Sequence, residues 1–197
     1  MDYPLITANV LYYQNGHDLY QTIDSVLMQD YPNIELIVSD DCSARGFHPD
    51  AVREYIVRHK KENIRRVVVN RNPENLGTVR HLEALRDLAT GEFEISIAAD
   101  DVWTDEHVFS DFAAAFRENG PDCVCVMSQV EMCDEQLQKV EELFVKRDII
   151  DLVQSQRWQE LWNREIMECE LPGLGTAYRR SLWQRLPRLS DTYRLVE

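Results

Sequence analysis

Along the first hundred residues, unbroken apolar runs alternate with stretches whose apolar positions recur every three or four residues. Residues 5–12 (LITANVLY) form one such run, the pattern of a strand covered on both faces. Between 18 and 29, Leu19, Ile23, Val26 and Leu27 fall on one side of a helix, which Tyr31-Pro32-Asn33 then stops. The same patterning predicts a strand at 35–39, a helix at 49–62, a strand at 66–70, a helix at 78–89 closed by Thr90-Gly91, and a strand at 93–98. This β-α-β-α-β-α-β order implies an α/β fold with a parallel sheet and right-handed crossovers. Ligands of such sheets bind outside the carboxyl ends of the strands.

Further on, 105–118 reads as a helix and 123–132 as a strand, after which the alternation lapses. Residues 136–168 are charged and helical in character, with Trp158 and Trp162 four apart and so on one helical face. Such a pair either packs into a core or interface, the commoner use, or offers a stacking platform to a sugar. A strand leads into Arg179-Arg180, and a short helix at 181–186 ends at Pro187. No repeat, low-complexity segment or Gly/Pro/Ser-rich linker divides the chain, so residues 1–197 are expected to form a single domain.

Three polar clusters each follow a predicted strand: Tyr12-Tyr13-Gln14-Asn15, Asp40-Asp41-Cys42-Ser43 and Asp100-Asp101. Carboxylates gathered at strand ends repel one another, and a divalent cation with a diphosphate would compensate them. The plainer alternative is that Asp40 and Ser43 make turn and capping hydrogen bonds, that Asp101 caps the next helix, and that Tyr13 is core.

Four phrases in order and spacing resemble glycosyltransferase family 2, the inverting enzymes with the GT-A fold: DSVLMQDYP at 24–32, ELIVSDDCS at 35–43, Asn75-Leu76-Gly77, and ATGEF at 89–93 leading to Asp100-Asp101. The resemblance implies a nucleotide-sugar-binding half over 1–102 and an acceptor-side half over 103–197. It implies that Tyr13 lies against the nucleotide base and that Asp41 bonds the base's polar edge, which suits uracil and favours a UDP-sugar donor. Asp100 and Asp101 match the DXD-type element, one carboxylate reaching the ribose and Asp101 ligating Mn²⁺ or Mg²⁺. Ala98 stands where many relatives carry another Asp. Arg80, in the first turn of its helix, could reach the phosphates or be an ordinary exposed arginine, and His107 reads as a solvated helix residue. GLGTAYRR at 173–180 is similar to the family's strand entering RR, after which relatives reach an acidic ED phrase whose Asp is the general base. Glu197 matches the first letter of that phrase, so the chain is expected to stop next to its base. An inverting displacement needs that base within reach of the acceptor hydroxyl. A catalytically inactive nucleotide-sugar-binding or scaffolding module is the second reading.

Composition narrows the partners. Lys and Arg number 21 against 35 Asp and Glu, a net charge of −14 that repels nucleic acid and anionic lipid. The five cysteines, Cys42, Cys123, Cys125, Cys133 and Cys169, lack CxxC spacing, which favours reduced thiols over a zinc knuckle or disulfide framework. No apolar run approaches the ~20 residues of a membrane span. Reduced thiols make a cytoplasmic protein the expectation. The family resemblance, not the composition, implies a saccharide or lipid-linked acceptor, a peripheral place at the cytoplasmic face of the membrane and a part in cell-surface polysaccharide or glycolipid synthesis. A dinucleotide-dependent oxidoreductase is disfavoured, since only Gly16 follows the first strand where a GxGxxG turn is required.

Overall fold

The computed structural model describes residues 3–14, 18–134, 138–139, 144–168 and 173–188. Its first half follows the predicted alternation: β1 (Ile6–Tyr12), α1 (Leu19–Leu27), β2 (Ile34–Asp40), α2 (Pro49–His59), β3 (Ile64–Arg71), α3 (Gly77–Leu88), β4 (Phe93–Ala98) and α4 (Val108–Asn119). Then come β5 (Cys125–Met127), α5 (Arg147–Gln154), α6 (Trp158–Glu168), β6 (Thr176–Arg179) and a 3₁₀ turn at Arg180–Leu182 in place of the expected 181–186 helix. The sheet order is β3-β2-β1-β4-β6-β5, with β1 to β4 parallel and β6 antiparallel to β4. Two compact units emerge: one is Met1–Val126 with Ala177–Glu197, the other Met127–Thr176.

In the first unit, side chains alternate across the sheet with period two. Ile6, Ala8, Val10 and Tyr12 share one face with Ile34, Leu36, Val38, Phe93, Ile95 and Ile97, all buried. On that face α4 stacks Phe116 on Phe93, with ring centroids 4.2 Å apart. The opposite face is lined with polar residues as well. Leu11, Ile37 and Val68 pack against Leu85 and Ala89 of the α3 segment, but the same rows carry Thr7, Asn9, Glu35, Ser39, Asn70, Glu94 and Ser96. Buried polar atoms need partners, and Glu35 has them: Thr7 Oγ1 (2.6 Å), Thr90 N (2.8 Å), Thr90 Oγ1 (2.7 Å) and the Arg66 guanidinium. Burial pushes its pKa up, but these bonds outweigh it and hold the carboxyl below its ordinary value.

Gly91 joins this bracket by donating its N–H to Thr7 Oγ1 at 2.9 Å. A Cβ there would lie 2.6 Å from Thr7 Oγ1 and 2.7 Å from both Leu5 O and Thr7 N. Two of those atoms are backbone and cannot swing away. Gly91→Ala is therefore expected to cost about 3 kcal/mol, as overpacking does in cores, measurable as a lower urea midpoint at unchanged slope.

The second unit departs most from expectation. The strand predicted at 123–132 is cut to three residues because the chain beyond it pairs locally: Cys133 bridges Lys139, and Phe144 N donates to Val130 O at 3.0 Å. Of the helical reading of 136–168, residues 136–137 and 140–143 lie outside the described residues; helix is present from Arg147 and breaks at Gln156, where φ is 56°. Its small core is Val145, Ile149, Leu152 and Leu161. Trp158 and Trp162 stay outside that core, 55% and 63% exposed, which removes core packing and leaves an interface or a stacking platform. Among the described residues Cys42, Cys123, Cys125 and Cys133 are free thiols, and no helix is long and apolar enough to cross a membrane.

Candidate functional site at the strand ends

The three polar clusters emerge side by side at the carboxyl ends of β1, β2 and β4, because main-chain bonds continue past the strands. Asp41 N donates to Tyr12 O (2.9 Å), Ala99 N to Leu11 O (2.9 Å) and Asn72 N to Asp40 O (2.8 Å). Gln14 N donates to Ser43 Oγ at 2.8 Å, tying the first loop to the second. Gln14 (φ 55°) and Cys42 (φ 62°) both adopt the left-handed conformation that residues with a Cβ avoid. Each costs on the order of 1 kcal/mol, and such strain concentrates where a loop must hold a functional shape.

The aspartates of the second cluster have different work. Asp40 is fully buried; it accepts from Ser43 N at 3.0 and 3.2 Å and pairs with Arg71 Nε at 3.2 Å. The turn role foreseen for Asp40 is thus present, with Arg71 added: its Nη2 also donates to Ser43 O at 2.7 Å. Asp41, 3% exposed, accepts from Asn72 Nδ2 (2.8 Å), Leu76 N (3.0 and 3.1 Å) and Gly77 N (2.9 Å). Those last two donors open α3, so a carboxylate faces the positive end of the helix. Leu76 N is shared between the two oxygens, so each Asp41 oxygen accepts two hydrogen bonds from these three donors. Beside it Tyr13 is 46% exposed rather than core, its hydroxyl accepting from Gln14 Nε2 at 2.9 Å.

At the end of β4, Asp100 is exposed and Asp101 half-buried. The Asp101 carboxylate makes no hydrogen bond or ion pair among the described residues; burial and the neighbouring Asp100 charge push its pKa up. It does not cap α4, whose N-cap is His107. Its loop is sewn to α1 instead: Thr22 Oγ1 donates to Asp101 O (2.7 Å), Gln29 Nε2 to Asp105 O (2.6 Å), and Phe109 N to Gln29 Oε1 (3.0 Å). His107 Nδ1 lies 2.6 Å from Asp30 Oδ2, an exposed pair. An unpartnered, half-buried carboxylate beside a second one fits a hard divalent cation held by one or two carboxylates plus phosphate. Groups of three or more His, Cys, Asp or Glu that could hold a metal ion unaided are absent among the described residues.

Arg80 is exposed in the first turn of α3 and makes no ion pair among the described residues. Glu197 lies outside the described residues, so its placement relative to the other groups is not part of the site described. Sequence reasoning missed Arg71, although a cation ending a strand two residues before Pro73 was a usable signal. It also missed Thr22 and Gln29, whose roles depend on contacts remote in sequence.

A parallel sheet with polar clusters at its carboxyl edge, paired acidic residues after β4 and an antiparallel strand added beside it defines the GT-A class of fold. The chain belongs to the family described as Glycosyl transferase family 2, whose sequence profile matches residues 8–185. Solved structures agree on the fold. One is the mannosyltransferase PcManGT from Pyrobaculum calidifontis in complex with GDP-Man and Mn²⁺: TM-score 0.64, 22% identity, covering 94% of this chain and 47% of that one. Another is S. aureus TarS 1-349 in complex with UDP-GlcNAc: TM-score 0.63, 19% identity, covering 95% and 48%. The chain therefore spans about half the length of these neighbours. No curated protein matches the sequence.

Proposed function

We propose that this chain forms a single GT-A domain whose half at 1–102 binds a nucleotide-sugar, most favourably a UDP-sugar, for transfer of the sugar with inversion to a saccharide or lipid-linked acceptor. The observation that carries this reading is the Asp101 carboxylate, which has no hydrogen bond or ion pair among the described residues, next to Asp100 where the ends of β1, β2 and β4 meet. Family membership and neighbours solved with GDP-Man and Mn²⁺ or with UDP-GlcNAc support it. In this reading the exposed Tyr13 ring stacks on the base and an Asp41 oxygen takes the imide N–H of uracil in place of its share of the Leu76 N–H. Asp100 bonds the ribose, and Arg80 reaches the diphosphate. Asp101 would hold Mn²⁺ or Mg²⁺, which when bound neutralises charge building up on the departing diphosphate.

The bond from the anomeric carbon to the phosphate oxygen breaks as the bond to the acceptor oxygen forms. The acceptor proton goes to a carboxylate at or next to Glu197. In this scheme the protein works at the cytoplasmic face of a membrane, in making polysaccharide or glycolipid. Thermal denaturation with UDP, GDP, dTDP and CDP, each with Mn²⁺ and again with EDTA, tests the donor site. At ~100 times its dissociation constant a ligand adds about 2.7 kcal/mol. A metal-dependent rise with UDP is expected; no rise with any of the four would overturn the reading.

A further inference from the structure

Behind Asp41 runs a continuous chain of buried hydrogen bonds that the proposed chemistry leaves unused. His81 of α3, 3% exposed, has Nε2 2.8 Å from Ser39 Oγ of β2. Asn70 Nδ2 of β3 donates both to that Ser39 Oγ (3.0 Å) and to Asn72 Oδ1 (3.0 Å). Asn72 Nδ2 then donates to Asp41 Oδ1 at 2.8 Å, and Asp41 returns the chain to α3 through Leu76 N and Gly77 N. The loop closes on itself, linking two strands, the 72–77 turn and one helix.

Ser39 Oγ accepts from Asn70 Nδ2 and is bonded to His81 Nε2, the direction of that second bond following the imidazole tautomer. Burial, the largest influence on His81, lowers its pKa against the opposing charges of Asp41 and Asp40. The Asp41 carboxylate can only accept, so Asn72 turns its amide nitrogen to it. The amide of Asn72 is thereby held with its oxygen toward Asn70 and its nitrogen toward Asp41. A carboxylate gripped by three donors is held in one orientation.

We propose that Asn72, Asn70, Ser39 and His81 are positioning residues that aim the Asp41 carboxylate and so set which nucleobase the donor site accepts. This rests on the donor-site reading above. Uracil presents an N–H donor at N3, whereas cytosine presents a lone pair there, which an aimed carboxylate repels. A buried group built to meet a hydrogen bond discriminates strongly against the analogue lacking it. Loosening the aim should erode that preference while leaving the contacts to ribose and phosphate.

Dissociation constants for UDP and CDP, with Mn²⁺, in the unaltered chain and in Asn72→Ala test the idea. The expected result is a UDP preference in the unaltered chain that falls at least about tenfold in the variant, the size of one charge-assisted bond, with CDP affinity changed less than about twofold. Ser39→Ala, which keeps every direct donor to Asp41, should shift the ratio in the same direction by less, and decides the matter if Asn72→Ala does not fold. Equal weakening of both nucleotides would overturn the positioning role, leaving a structural one, as would an unchanged ratio. No UDP preference in the unaltered chain would overturn base reading by Asp41. Binding of neither nucleotide would overturn the donor site and this proposal with it.

Discussion

Asp101→Asn should abolish the metal-dependent part of UDP stabilisation while leaving the unliganded protein as stable as before or more so. The two halves of this expectation come from the same geometry. The Asp101 carboxylate has no hydrogen bond among the described residues, so the isosteric amide loses none, and the repulsion from Asp100 that helps to raise its pKa disappears. A ligand to a divalent cation is another matter, because an amide oxygen carries no formal charge to offset the ion. In thermal melts with Mn²⁺ and UDP at ~100 times the wild-type dissociation constant, the gain of about 2.7 kcal/mol should vanish. Transfer by a protein that contains the whole active site should fall by several kcal/mol of barrier, on the order of a thousandfold. Retention of the full Mn²⁺-dependent shift would remove Asp101 from the metal role.

Glu94→Gln should stabilise the protein above neutral pH by about 3 kcal/mol and make no such gain at pH 4. Glu94 is 3% exposed on the polar face of β4, and its Oε1 has no hydrogen-bond partner. Burial raises its pKa from 4.5 to about 7, with Arg86 and Arg180 pulling it down and Glu35 pushing it up. Arg86 stacks 3.5 Å over the Trp183 ring. A raised carboxyl pKa means that the folded state holds the proton more tightly than the unfolded chain. The stability linked to this group is then complete below the unfolded pKa and is lost as pH rises from about 4.5 to about 7. At 1.36 kcal/mol per pKa unit the loss amounts to about 3 kcal/mol. Urea unfolding of both proteins from pH 4 to 8 checks it: the difference between them should open across that window, and a constant difference would contradict it.

How far the sequence disclosed these features depended on how local each one is. Strands β1, β2 and β4 were legible because burial on two faces leaves a continuous apolar run that does not depend on what the strand pairs with. The acidic clusters were legible as strand-end features once those strands were placed. The end of β5 was not, since the residues after Met127 suit a longer strand equally well, and the Phe144 N to Val130 O bond gives Val130 a local partner instead. Nor could patterning separate Asp40 from Asp41: only the strand register puts Arg71 beside the first and only the 72–77 turn puts three donors around the second. Ser39 and Asn70 closed the predicted strands at 35–39 and 66–70, and only the pairing of β2 with β3 sets them opposite each other.

The antiparallel pairing of β6 on β4 also bears on synthesis. The other strand partner of β4, β1, precedes it, whereas the strand that covers its second edge, with Tyr178 opposite Glu94, emerges about eighty residues later. During that interval the nascent sheet ends in FEISIA, an apolar edge of the kind that recruits a neighbouring chain. Glu94 is the one charge in that edge. While still wet it is ionised at neutral pH and repels a second copy of itself, so the residue that weakens the finished fold guards the unfinished one. Glu94→Gln is thus expected to trade a lower yield of soluble protein during expression for a higher melting temperature afterwards.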